Sequence, residues 1–143
     1  MEIRRAKPSD GKKIRAFDEI AQVEASRVAF IERSIKSNQC FVAVVDERVV
    51  GYGILNDRFY DHGFIDMVYV DRNLRRRGIG SALIRHMERS CRTAKLFTST
   101  NRSNKPMQLL LNKLGYQRSG IIENLDEGDP EWVYVKRVRG DAL

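Results

Sequence analysis

Arg75-Arg76-Arg77-Gly78-Ile79-Gly80-Ser81 is the segment of this sequence best equipped for chemistry. It follows a β-rich run and opens a stretch of apolar residues at helical spacing, so it lies where a strand hands over to a helix. The first N–H groups of a helix lack intrahelical partners and the helix dipole is positive there, which suits phosphate oxygens. Gly78 and Gly80 remove side chains that would hold an anion off the backbone, and the arginines can add charge-assisted bonds. A pyrophosphate fits this pattern; a glycine-rich turn with solvated arginines is the bland alternative. The fingerprint G-x-G-x-x-G and the Lys-Ser/Thr ending of a Walker loop are both missing, so hydride transfer and nucleotide hydrolysis lack their usual groups.

Three further residues could move a proton. Asp66 interrupts the apolar strand that leads to the arginine-glycine segment and shares a face with Phe64, Val68 and Val70 by strict alternation. A carboxylate there is the first candidate for a general base, with pairing to a neighbouring arginine as the competing role. Glu24 and His62 are weaker candidates: a solvated helix face explains Glu24 better, and His62 reads first as a turn residue, although its titration range would suit proton transfer. Glu123, Asp126, Glu127 and Asp129 form an acidic turn that could attract a cationic amine or simply be solvated. Cys91 falls on a helical apolar stripe and reads as a buried thiol, so acyl-cysteine chemistry is set aside.

The elements that must position these groups alternate in period. Glu2 to Arg5 reads as a strand, and Pro8-Ser9-Asp10 opens a helix with Ile14, Phe17 and Ala21 at its spacing. A second stripe, Val23, Arg27, Phe30, Ile31 and Ser34, continues to about Ser37 with no glycine or proline to mark a break. Phe41 to Val45 and Val49 to Leu55 read as a hairpin around Asp46-Glu47-Arg48, and Phe64 to Val70 is the next strand. A helix runs from Gly78 to about Cys91, and Leu96 to Thr100 makes a fifth strand. Ser103 or Asn104 caps a helix carrying Met107, Leu110, Leu111 and Leu114, which Gly115 stops. Tyr116 to Glu123 and Trp132 to Val138 complete seven strands around about four helices, a mixed α/β class. The exposed aromatic run from Trp132 to Val135 suggests a homodimer through a sheet edge.

The 143 residues, 42% of them hydrophobic, suit one domain with a real core. No apolar stretch approaches the ~18 residues needed to span a bilayer. The N-terminus lacks the features of a signal peptide, and two unpaired cysteines suggest neither a disulfide framework nor a metal site, so a cytoplasmic protein is expected. The net charge of +7 is dispersed, with no interleaving of basic and aromatic residues, which disfavours a nucleic-acid partner.

Val68-Tyr69-Val70-Asp71 through Arg75-Arg76-Arg77-Gly78-Ile79-Gly80-Ser81-Ala82-Leu83 resembles the acetyl-coenzyme A signature of the GNAT N-acetyltransferase family. Asn104-Lys105-Pro106-Met107, Leu110-Leu111 and Leu114-Gly115-Tyr116 are similar to that family's second cofactor segment, and the element order matches as well. The resemblance implies one GNAT-like domain over residues 1–143, with seven mostly antiparallel strands and a splayed fourth and fifth pair. It implies acetyl transfer to a primary amine of a small molecule or peptide, the acceptor cationic if the acidic turn takes part. Backbone groups around Val68 and Val70 would bond the pantetheine arm and receive the oxyanion, Arg75 to Ser81 would hold the pyrophosphate, and Asn104 would contact the pantetheine. The family's tyrosine general acid, seven residues after the asparagine, is replaced here by Leu111, and Tyr116 reads as a core residue. The alternative is therefore a catalytically weak module that binds acetyl-coenzyme A as a sensor.

Overall fold

Two tight turns organise the middle of the chain. Asp46 and Glu47 have φ of 49° and 64°, and Tyr60 and Asp61 have 52° and 63°. Positive φ at both central residues is the two-residue hairpin geometry whose twist matches paired strands. They join β2 (Cys40–Val45) to β3 (Arg48–Phe59) and β3 to β4 (His62–Val70). His62 thus opens a strand, where the sequence suggested a turn residue, because the reversal is completed one residue earlier.

In the computed structural model, which describes residues 1–140, the remaining elements are β1 (Glu2–Arg5), α1 (Asp10–Phe17), α2 (Ala25–Lys36), α3 (Ile79–Ser90), β5 (Lys95–Asn101), α4 (Lys105–Lys113), β6 (Gln117–Ile122) and β7 (Glu131–Arg137). The strands form one sheet in the order β1-β2-β3-β4-β5-β7-β6. The β4/β5 pairing is parallel, and the β1/β2, β2/β3, β5/β7 and β6/β7 pairings are antiparallel. This is the mixed α/β class expected. No helix among the described residues is long and apolar enough to cross a membrane.

The described residues group into two compact units. The first comprises Met1–Leu55 and Met67–Met87. Ile14, Ile31, Ile35, Val42, Tyr52 and Ile54 form its core with Phe17 and Tyr69 packed against them. A Cβ on Gly53 would lie 2.6 Å from the Met87 methyl, so this strand position is empty because α3 comes in close.

The break between α1 and α2, unmarked by glycine or proline, is made by Asp18. Its backbone leaves the helical region at ψ 101°, and its carboxylate accepts the N–H groups of Ile20 and Ala21 at 3.0 and 3.1 Å. The side chain thus replaces the helix's own acceptors, as aspartate does in turns. The second oxygen accepts the Tyr52 hydroxyl at 2.5 Å and lies 3.2 Å from Arg27 Nε. Burial first, and then the bond to Asp18, raise the Tyr52 phenol well above its ordinary range. Val23, assigned by its spacing to an apolar stripe, falls in this connection and is 82% exposed. Asp18→Asn keeps the shape but leaves the Arg27 guanidinium without its counter-charge. The expected cost is about 2 kcal/mol in urea denaturation, in line with weakening a buried charged network.

The second unit comprises Asn56–Asp66 and the chain from Glu88. Its β5/β7 pairs put Thr98 opposite Tyr134 and Thr100 opposite Trp132. Lys105 of α4 lies over the Trp132 ring, and Glu88 at the end of α3 accepts from Lys136 and from the Tyr116 hydroxyl. Helices therefore cover the face that carries Trp132, Tyr134 and Lys136. The edge strand here is β6, every residue of which is exposed, whereas β7 lies between β5 and β6. This corrects the suggestion of an exposed edge at Trp132 to Val135: Val133 and Tyr134 are buried.

Candidate active site

The arginine-glycine segment lies in the first unit, and its backbone explains the glycine. After β4 the chain makes one 3₁₀ turn, Arg72–Leu74, stabilised by Asp71 accepting from Asn73 N–H at 3.0 Å. Arg76 and Gly78 then adopt φ of 66° and 81°. The Gly78 carbonyl accepts the first helical bond of α3 from Ala82 at 3.0 Å, so the N–H groups of Ile79, Gly80 and Ser81 precede the helical ladder. A Cβ on Gly78 would meet nothing within 4 Å. The Ile79 side chain is buried in the core, so only its backbone can face a ligand.

The three arginines divide. Arg75 turns back onto β4, donating to the Val70 carbonyl at 3.0 Å and lying 5.2 Å from the Tyr69 ring centroid. Arg76 and Arg77 are exposed and have no ion pair among the described residues. Two cations beside three N–H groups that precede the helical ladder suit a multiply charged anion.

The end of β4 offers a second set of free backbone groups. Asp71 N–H donates to Val50 of β3 at 2.7 Å, and the Tyr69 and Met67 carbonyls lie beside Gly51 and Gly53. Peptide groups alternate along a strand, so those of Val68 and Val70 point away from β3. On that side the ladder with β5 covers only Gly63–Ile65 against Leu96–Thr98. Beyond it, among the described residues, no ladder pairs Val68 or Val70 on that side, and the Val70 carbonyl accepts from Arg75.

In the second unit, Asn104 caps α4 by accepting from Met107 N–H at 3.3 Å, with Pro106 in the first turn. Its amide nitrogen makes no hydrogen bond among the described residues. Asp66, half-buried in β4, accepts from Asn56 Nδ2 at 3.0 Å. Its partner is therefore an amide and not the arginine that the sequence left as an alternative, so its charge is held but not neutralised. Asn56 was missed by sequence reasoning, although a lone amide closing the apolar run of β3 was a signal.

Residues 9–116 match the model of the acetyltransferase (GNAT) family. The chain belongs to the GNAT acetyltransferase family. Over 95% of its length it superposes on 96% of a GNAT-family acetyltransferase from Bacillus cereus, with 35% identity and a TM-score of 0.89. The Salmonella typhimurium protein yncA, solved with its cofactor acetyl-CoA, aligns over 100% of this chain and 96% of its own, at 17% identity and TM-score 0.79. A ribosomal-protein-alanine N-acetyltransferase from Brucella melitensis aligns over 96% and 99%, at 18% identity and TM-score 0.78. Among curated protein sequences, none matches this chain.

Within this GNAT chain, Leu111 is 1% exposed, an apolar contact of α4 with no proton to give. Tyr116 is no substitute: it is buried, and its hydroxyl donates to Glu88 at 2.8 Å. Burial first, then Glu88, raise its phenol well above the ordinary range. The acidic turn is divided. Asp126 accepts from Asn101 at 2.9 Å and Asp129 from the Ser103 hydroxyl at 2.6 Å, tying the turn to the start of α4, while Glu123 and Glu127 are exposed. Glu24 stands exposed at the start of α2, its carbonyl accepting from Arg27 and Val28. Cys91 lies one residue past α3 and is buried, and burial pushes the Cys40 thiol up to about 12. No group of metal-ligating side chains occurs among the described residues.

Proposed function

We propose that this chain transfers the acetyl group of acetyl-coenzyme A to a primary amine by direct attack in a ternary complex. The observation that carries this is the set of backbone groups outside the strand and helix ladders at Val68, at the Val70 N–H and at Ile79 to Ser81, beside Arg76 and Arg77, which have no ion pair among the described residues. Val68 and Val70 would hold the pantetheine amides. Arg76, Arg77 and the N–H groups of Gly78, Ile79, Gly80 and Ser81 would hold the pyrophosphate, with Arg75 bracing β4 beneath them. Asn104, at the family's matching position, would use its unengaged amide nitrogen on the pantetheine while its oxygen caps α4.

The bound co-substrate supplies an activated acyl group and a thiolate leaving group whose pKa lies near the ordinary ~8.5. Asp66 takes a proton from the acceptor's ammonium and leaves a neutral nucleophile. The new N–C bond forms as the C–S bond breaks, and a β4 N–H group receives the charge that develops on the acyl oxygen. With leucine at position 111, the second proton, which the nitrogen sheds as the amide forms, reaches the departing thiolate through solvent. Positioning then supplies much of the rate.

The Leu111 side chain also motivates a second reading, a module that binds acetyl-coenzyme A and turns it over weakly. Thiol release from acetyl-coenzyme A, measured across polyamines, aminoglycosides, amino acids, aralkylamines and peptides with cofactor binding followed by calorimetry, separates the two. Turnover with an amine supports the transferase, binding alone supports the sensor, and absence of binding overturns both.

A further inference from the structure

In the second unit, α4 lies on one face of the sheet, and among the described residues of that unit no helix lies on the other, where Val133 is buried and its neighbours are half-buried. Side chains alternate across a strand, and residues directly opposite share a face. Phe97 and Ser99 of β5 therefore lie on the side opposite Trp132 and Tyr134, together with Val135, Val133 and Glu131 of β7. The Ser99 hydroxyl confirms this by donating to Glu131 at 2.8 Å. Phe64 pairs with Phe97 across the β4/β5 ladder and shares its face, as does Asp66 two residues on.

This face has two ends of different chemistry. At one end Phe59 stacks on Phe64 with centroids 4.9 Å apart and 14° between planes, and lies 5.0 Å from Phe97. All three rings are half-buried, although large aromatic side chains ordinarily bury their area when a core is available. Two residues along β4 from Phe64, about 7 Å away by strand rise, is Asp66, and Glu131, opposite Asn101 and four residues from Val135, extends its carboxylate back to the hydroxyl of Ser99, two residues from Phe97. Both carboxylates are half-buried, and each is held by a neutral donor, Asn56 and Ser99. No ion pair among the described residues involves either of them. In a protein of net charge +7 with 26 basic residues, two half-buried carboxylates on this face thus have no ion pair among the described residues.

We infer that this face selects the acceptor, and that the acceptor is an aralkylamine: a primary ammonium separated by a short linker from an aromatic ring. The ring lies against Phe59, Phe64 and Phe97, and the ammonium meets Asp66 and Glu131 before deprotonation. Apolar area favours the ring, while charge complementarity fixes which end points along the strands. A polyamine would satisfy the carboxylates but leave the aromatic end wetted, and a simple aliphatic amine would lose the stacking. The inference rests on the proposed transfer for its reaction, but not for the binding of the amine.

The test compares 2-phenylethylamine with n-butylamine and spermidine as acceptors and follows phenylethylamine binding directly by ligand-observed NMR. The expected kcat/KM for phenylethylamine is at least about tenfold above either competitor. Phe97→Ala should bring the phenylethylamine-to-butylamine ratio towards one, and Glu131→Gln should raise the KM for phenylethylamine about tenfold. Phe97→Leu, which keeps the apolar volume without the ring, serves where the alanine variant does not fold. Turnover with spermidine or butylamine equal to that with phenylethylamine overturns the inference and leaves the transferase intact. Failure of acetyl-coenzyme A to bind removes the transferase reading alone. In that case, phenylethylamine binding that is lost in Phe97→Leu still supports the face, and no binding overturns it. A wild-type dimer in light scattering that becomes a monomer in Phe97→Leu would mean that a second copy covers the rings, which also overturns it.

Discussion

Gly78→Asp is expected to lower the affinity for acetyl-coenzyme A by about 100-fold or more in calorimetry, while changing the melting temperature by only a few degrees. The two effects separate because the residue has two neighbourhoods. Towards the protein, a Cβ at Gly78 meets nothing within 4 Å. The remaining cost is an L-residue at φ 81°, on the order of 1 kcal/mol and least for aspartate and asparagine. An acidic residue at a helix start also interacts favourably with the dipole, so part of that cost is offset. Towards the ligand, the same carboxylate stands where the pyrophosphate would meet the N–H groups of α3, and like charges there oppose binding by several times the strain. If the variant binds acetyl-coenzyme A as the wild type does, the pyrophosphate lies elsewhere and the arginine-glycine segment is only a turn.

Asp66→Asn should reduce kcat/KM for the amine by 10²- to 10³-fold, the range typical of removing a general base, with cofactor affinity within about twofold. The substitution conserves shape, and the new amide keeps an oxygen that accepts from Asn56 Nδ2 while Asn56 Oδ1 goes on accepting from Arg58 N–H, so the contact with Asn56 survives the change. A pH profile separates a base from a mere binding group. If Asp66 accepts the proton, the acidic limb of the wild-type profile disappears in the variant. If it serves only the ammonium's charge, KM rises and the limb remains. An activity loss confined to KM would move Asp66 out of the chemical step.

What could be read from the sequence was what repeats along the chain. The strand before the arginine-glycine segment, the helix after it and the Asn104 cap follow from local period and capping chemistry. All three stand within a residue or two of where those signals put them. The features that escaped depend on partners distant in sequence. Asp18 ends α1 because Tyr52 and Arg27, 34 and 9 residues away, make a buried carboxylate tolerable, and nothing around Asp18 announces that. Val23 satisfied the helical period but fell in the connection Asp18 creates. The order of β6 and β7 is likewise decided by pairing, so the amphipathic run from Trp132 looked like an edge when its neighbour is the exposed strand. Asp66 was legible as an anomaly, yet its partner was not, because Asn56 reaches it across a hairpin.

The unpaired stretch of β4 has a consequence for how such a site persists. The groups proposed to bind there, at Val68 and Val70, are peptide N–H and C=O, which every residue but proline provides in the same place. Substitution among valine, isoleucine, threonine or leucine there leaves the donors untouched, so the side chains are free to drift under selection for packing alone. Catalytic tyrosines have no such protection, and leucine now stands at position 111. A fold that keeps its ligand by main chain can exchange one proton donor for another, or for none, without first losing the ligand, and so can try new acceptors while the acyl donor stays fixed.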